Sequence, residues 1–239
     1  MNLSTLVTRI KLNLGLTIIS TPFENIDSDI TTIIRDITVP VFSLYYPQKD
    51  KMPVQLNDLE ELEKQAEYEK YLLPEFKDRK LLRVEDVCYD SGLLSGLGSY
   101  GAIPIMDGAI VNQMILSNAS ANLMNKYIPK ITFHYEHPRI LYLYHVYSYT
   151  KVILTLAFEH DKSLASIPET ASESFYQLAL LDVKSNLFPT MKMYSPIQTP
   201  VGNIDLKIDA WEQAESDRRE LLKEWDETFH LDGQTFYWI

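Results

Sequence analysis

The chain has 239 residues, 46% hydrophobic and 23% charged, with 33 acidic against 22 basic side chains and a formal net charge of −11. Apolar and aromatic material on this scale offsets the entropy of ordering and excludes wholesale disorder, and eight glycines and twelve prolines without a period exclude a collagen-like chain. The acidic balance argues against nucleic-acid binding through a general basic surface, because that affinity comes from Lys and Arg neutralising phosphates. A single cysteine, Cys88, excludes an internal disulfide and a thiolate metal cluster, fits a cytosolic folding compartment, and is expected to be a small buried hydrophobe.

Leu3, Leu6, Val7, Ile10 and Leu14 fall at helical spacing and Gly15 follows as a stop, which predicts a one-faced helix over 3–14. Arg9 and Lys11 sit inside this apolar run rather than ahead of it, so the segment reads as a mature N-terminal helix and not as a secretory leader. Residues 16–22 form a link ending at Pro22. Ile26, Ile30, Ile33, Ile34 and Ile37 make a second stripe over 26–37, with Asp27 or Ser28 as its cap and Pro40 as its end or kink. Its β-branched content lowers helix propensity, so packing must hold it. The two helices are expected to form a hairpin whose seam is buried against another surface. VFSLYYP (41–47) reads as a strand or extended arm. The charge-dense stretch from Leu56 to Tyr71, with Glu60, Glu61, Glu63, Lys64, Glu67, Glu69 and Lys70, reads as a solvated helix with Pro74 beyond its end.

Residues 80–90 alternate as a strand. Five of the eight glycines then crowd between Gly92 and Gly108. The spacing Gly96-x-Gly98 lacks the Lys and Ser/Thr of a phosphate loop and the strand–turn–helix frame of a dinucleotide site. A long loop carrying Leu93, Leu94 and Leu97 is the better reading, and such loops contact partners. Residues 131–136, 139–147 and 150–159 are the clearest strands, separated by short turns and read together as an antiparallel meander. Two helices close the chain. The first opens at Ser166-Ile167-Pro168-Glu169, which resembles a capping box, and runs to about Phe188 before Pro189. The second opens at Asp209 and carries Trp211, Ala214, Leu221, Leu222, Trp225 and Phe229 on one stripe, and a small hairpin-like piece (199–208) lies between the two helices. Phe236, Tyr237, Trp238 and Ile239 then end the chain with four large apolar groups, each worth roughly 1.5–3 kcal/mol on burial. They should dock, on this subunit or on a neighbour.

Chemistry is sparse. The histidines are His134, His137, His145, His160 and His230, with no HExxH pattern, and an offset of three in a strand puts His134 and His137 on opposite faces. There is no G-x-S-x-G elbow, and Cys88 has no catalytic-cysteine signature. No catalytic residue, metal or cofactor is expected. Asp182, set among Leu180, Leu181 and Val183, is expected to be partly buried with a basic or hydroxyl partner in a structural salt bridge. No apolar run approaches the ~20 residues of a membrane-spanning helix.

The order of elements is a helix pair, an inserted β region and two C-terminal helices. It is joined by Ile167-Pro168-Glu169 with Phe175 and Leu178 to Lys184, by Thr199, Gly202, Ile204 and Leu206, and by Trp211, Ala214, Glu215, Arg218, Glu220, Leu221, Leu222 and Trp225. This set resembles the neck or head–tail connector proteins of tailed bacteriophages, and the N-terminal helices and YYP segment (45–47) fit the same pattern. The resemblance implies an α+β fold. Its helical connector domain is formed by 1–47 and 160–239, and its inserted antiparallel β domain (sandwich or meander), with long loops, by 48–159. It implies a structural virion protein, made in the host cytoplasm, that forms a homo-oligomeric ring, usually dodecameric, at the head–tail junction. Portal protein and neighbouring neck or tail proteins would be its partners, DNA would pass the lumen without specific binding, and no membrane is involved. A closed ring needs two different complementary faces per subunit. Candidates are Phe236, Tyr237, Trp238 and Ile239 in the tail, Leu93, Leu94 and Leu97 in the loop, and Tyr45 and Tyr46. A tail-terminator or baseplate component, or a non-viral intracellular interaction module, are the alternatives.

Overall fold

Asn2 starts the first helix, α1 (Leu3–Asn13), by accepting the Ser4 N–H on its side-chain oxygen at 3.0 Å. Gly15 ends it. At φ +70° it lets the Leu16 N–H reach the Lys11 carbonyl at 2.9 Å and its own N–H reach the Leu12 carbonyl at 3.2 Å. This pair of bonds satisfies helix carbonyls at a backbone conformation that glycine adopts without strain. The computed structural model describes residues 2–17, 25–89, 131–144, 146, 151–193, 197–199, 202–204 and 208–229. The chain is α+β and divides into two compact units, Met1–Gln48 with Phe158–Ile239, and Lys49–Ala157.

In the first unit, α2 (Ile26–Ile33) is capped by Asn25, whose side chain accepts the Ser28 N–H at 3.2 Å, and not by Asp27 or Ser28. Pro40 does not end this helical run. A π-helical stretch (Ile34–Thr38) passes the Val39 N–H to the Ile34 carbonyl, and a fresh segment, α3 (Val39–Tyr45), follows with Pro40 in its first turn. There the missing proline N–H removes no needed bond. Residues 41–45 are therefore helical and not a strand or arm. Short apolar runs are ambiguous between the two, and here Phe42 and Tyr45 bury at helical spacing.

A 3₁₀ turn (Glu169–Ala171) leads into α4 (Ser172–Met193), the longest helix. The expected capping box at Ser166 is absent, because its hydroxyl is engaged elsewhere. Pro189 lies inside α4 rather than after it, and Leu187 and Met191, buried on either side, hold the last turn by packing. After the β8–β9 pair (Ile197–Thr199 with Gly202–Ile204) and a 3₁₀ turn (Ile208–Trp211), α5 runs from Ala214 to Phe229, starting five residues later than Asp209. Leu6, Ile10, Ile30, Ile34, Phe42 and Phe175 belong to one core with Leu178, Val183 and Trp225. The N-terminal helix pair thus covers its seam with the C-terminal helices.

The second unit holds two sheets, of order β1-β7-β4 and β2-β3-β6-β5. The strands are β1 (Gln48–Gln55), β2 (Glu60–Lys64), β3 (Tyr68–Leu72), β4 (Leu81–Tyr89), β5 (Thr132–Glu136), β6 (Ile140–Tyr144) and β7 (Lys151–Phe158). β5 and β6 form the expected hairpin, paired from Thr132↔Tyr144 to Glu136↔Ile140, with a cis His137–Pro138 peptide between them. The meander reading fails at β7, which leaves this sheet and lies between β1 and β4.

The solvated helix expected over 56–71 is also corrected. Beyond a short 3₁₀ turn (Leu56–Asp58), this stretch folds into the β2–β3 hairpin. Glu69 and Tyr71 bury on alternate positions of β3, so packing overrides helix propensity. Glu69 accepts the Tyr71 hydroxyl at 2.6 Å and pairs with Lys64 at 2.5 Å. Burial pushes its carboxyl up, but these two partners outweigh burial and hold it below the usual carboxylate range. β2 is exposed along its length and carries charges at the sheet edge, which opposes edge-to-edge pairing. Cys88 is exposed rather than buried, because β4 turns Leu81, Val84 and Val87 inward.

Candidate assembly interface

The helical unit brings the predicted tyrosines together with three other aromatics. Phe42, fully buried, is the hub: it stacks on Tyr46 at 4.8 Å and meets Phe175 at 4.9 Å and Trp225 at 6.0 Å edge to face. Tyr45 and Tyr46 each approach Trp225 at 5.4 Å, and Tyr46 meets Phe229 at 4.7 Å. Burial, reinforced by the Asp226 carboxylate, pushes the Tyr45 phenol up to about 12. Of the two, Tyr45 is buried within its own subunit and Tyr46 is half-buried. Phe236, Tyr237, Trp238, Ile239, Leu93, Leu94 and Leu97 lie outside the described residues. Phe229, the last described residue, sets the start of the C-terminal tail beside Tyr46.

Two buried polar knots brace this cluster. In the first, the His160 Nε2–H donates to the Tyr46 carbonyl at 2.6 Å, while Nδ1 lies 2.9 Å from the Ser166 hydroxyl, which accepts the Asp161 N–H at 3.1 Å. The carbonyl demands a proton on Nε2, so Nδ1 is the acceptor and the ring is neutral. The His160 N–H donates to Ser43 Oγ at 3.0 Å, and Ser43 donates to the Val39 carbonyl at 2.7 Å. No sequence motif marks His160; its signal is only its place between a strand and the Ser-Ile-Pro segment.

Burial pushes the His160 imidazole below its ordinary 6.5, partly opposed by the Tyr46 carbonyl. The unfolded chain therefore takes up the proton first. The stability this site contributes is complete above about pH 6.5 and is lost as pH falls from there through the folded value. Melting temperatures between pH 7.5 and 5.5 should fall more steeply in the wild type than in His160→Gln; parallel slopes would remove His160 as the cause.

In the second knot Asp182, 1% exposed, accepts the Thr38 hydroxyl at 2.7 Å on Oδ2 and Arg218 Nε at 2.5 Å on Oδ1. It thus has both kinds of partner expected of it, and ties the π-helical stretch, α4 and α5 together. Arg9 similarly joins α1 to α4, pairing with Glu173 at 3.1 Å and lying 3.7 Å over the Tyr176 ring.

A groove of about 350 Å³ runs between α4 and α5, floored by Leu180, Leu181 and Leu221 and rimmed by Asp217, Glu220 and Glu224, with Gln177 at its end. In the β unit, a hollow of about 440 Å³ is lined by Met52, Pro53, Leu59, Pro74 and Lys151, among others. His134 is exposed beside Tyr142, and His137 is exposed in its turn. Among the described residues, no group of three or more His, Cys, Asp or Glu is placed to hold a metal, and no helix is long and apolar enough to cross a membrane.

The geometry is that of interlocked helices with satisfied polar ties and an apolar groove left open to solvent. Over residues 1–235 the chain matches the family model described as bacteriophage ring protein, and it belongs to that family. It is a phage structural protein of an oligomeric ring. No curated protein matches it.

Proposed function

We propose that this ring stands at the head–tail junction of the virion, where it joins portal to tail and lines the DNA exit channel, with twelve copies as in the neck proteins the sequence resembles. The observation that carries the reading is the ring-family match over residues 1–235 in a chain of net charge −11. An acidic wall repels a polyanion and lets DNA slide without gripping it. In this reading residues 1–47 with 160–239 form the ring body, and residues 48–159 are an insert that meets neighbouring components. The chain does no chemistry. Phe236, Tyr237, Trp238 and Ile239 dock on the portal or the adjoining ring, by strand addition or in a pocket, and Leu93, Leu94 and Leu97 contact a neighbour.

The test is a tagged full chain supplied during infection, compared with the same chain truncated after Gly233. Gold label on purified particles should mark the head–tail vertex; label at the tail tip or baseplate overturns the location. The truncated chain should keep its melting temperature and fail to enter particles. A fall of many degrees in the isolated truncated chain would show instead that the aromatic tail packs on its own subunit.

A further inference from the structure

The α4–α5 groove has an apolar floor and an acidic rim. Asp217, Glu220 and Glu224 line one side of α5 and are exposed, and none of them is ion-paired with a described residue. The cations of α5 that could neutralise them are committed elsewhere: Arg218 to Asp182, Arg219 to Glu215 and Lys223 to Glu227. An occupant therefore has to bring apolar side chains together with positive charge.

This chain carries such an element. α1 contains Arg9 and Lys11 and no carboxylate, in a protein with an excess of acidic residues. Its inner face is buried through Leu6, Val7 and Ile10, while Leu12 points away and is 63% exposed, with Thr5, Thr8 and Arg9 exposed around it. Exposed leucines of this kind are few here; Leu62 and Met193 are the other large apolar side chains most open to solvent among the described residues. Groove and α1 belong to the same helical unit, and α1 reaches α4 only through its first turns, at Glu173 and Tyr176.

We infer that the α4–α5 groove of one copy receives the outer face of α1 from the next copy, Leu12 entering between Leu180, Leu181 and Leu221 while Arg9 and Lys11 face the acidic rim. The contact is heterologous, which is the kind that closes a cyclic ring, and two different faces of one subunit supply it. Opposite charges on its two sides also fix its polarity and disfavour pairing of like faces. The inference rests on the ring reading and adds the residues that pair.

Leu12→Glu tests it without touching the core. Its melting temperature should stay within about 2 °C of wild type, as for an exposed substitution. The concentration needed for assembly, followed by sedimentation of the full chain, should rise about tenfold or more, because an anchoring side chain is lost and a like charge faces the rim. Adding Glu220→Lys and Glu224→Lys to the same chain should restore assembly. In parallel, a chain with Leu12→Cys and a chain with Gln177→Cys, both carrying Cys88→Ser, are mixed and oxidised, alone and in assembled particles. A mixed disulfide is expected, and neither single variant should give one by itself. Wild-type rings together with normal Leu12→Glu assembly and no mixed disulfide would overturn the groove as the contact and leave the ring reading standing. Absence of multimers in both samples would overturn the ring reading and this inference with it.

Discussion

Arg218→Met is expected to destabilise the helical unit by about 3–5 kcal/mol, the cost of breaking a buried pair from one side. For a chain of this size that corresponds to a fall in Tm of about 10 °C. The reason is asymmetry of burial. The Asp182 side chain is 1% exposed and Arg218 is 23% exposed, so removing the guanidinium strands a carboxylate in the core with only the Thr38 hydroxyl to face it. Removing the carboxylate instead leaves an arginine that can turn toward water. The double variant Arg218→Met/Asp182→Asn should recover much of the loss, since the amide oxygen still accepts from Thr38 and no charge is buried. Thermal melts of the three chains decide the matter: a single variant within about 1 kcal/mol of wild type would mean that the pair behaves as a surface contact.

Phe42→Ala should cost a similar amount, about 3–5 kcal/mol, through lost transfer energy and the cavity left behind. Phe42 is fully buried and its ring touches those of Tyr46, Phe175, Trp225 and His160. Each aromatic pair adds roughly 0.5–1.5 kcal/mol beyond area burial, so this position loses more than an isolated core phenylalanine. Phe42→Leu should cost distinctly less. Denaturant midpoints with unchanged slopes would report the loss as stability rather than altered compactness. The two variants falling together would show that shape at this hub matters little.

These two positions also show what the sequence makes visible. Asp182 stands out because a carboxylate amid leucines needs a partner, and the partners found are of the expected kinds. α1 is visible for a similar reason: its stripe, asparagine cap and terminal glycine all agree. The β5–β6 hairpin is visible through strand alternation.

What stays hidden depends on tertiary context. Phe42 sits in a seven-residue run whose apolar content suits strand and helix equally, and only the core on one side chooses helix. Pro40 and Pro189 read as stops, yet one falls where no N–H is needed and the other is held by Leu187 and Met191. The β2–β3 stretch has the composition of a solvated helix until Glu69 and Tyr71 find partners. β7 joins a different sheet from its sequence neighbours, which no local pattern announces. Of the interface candidates, Tyr45 and Tyr46 were chosen for their apolar surface, and the same surface packs Trp225 and Phe229 within the subunit.

The helical unit draws its parts from both sides of the β unit, with about a hundred residues between Gln48 and Phe158. During synthesis at roughly 5–20 residues per second, α1 to α3 emerge many seconds before α4 and α5 exist to cover them. The oily side of the early helices stays bare for that interval, and the acidic groove is formed last. A half-made chain thus has no finished socket for a sibling, so polymerisation waits for translation to end.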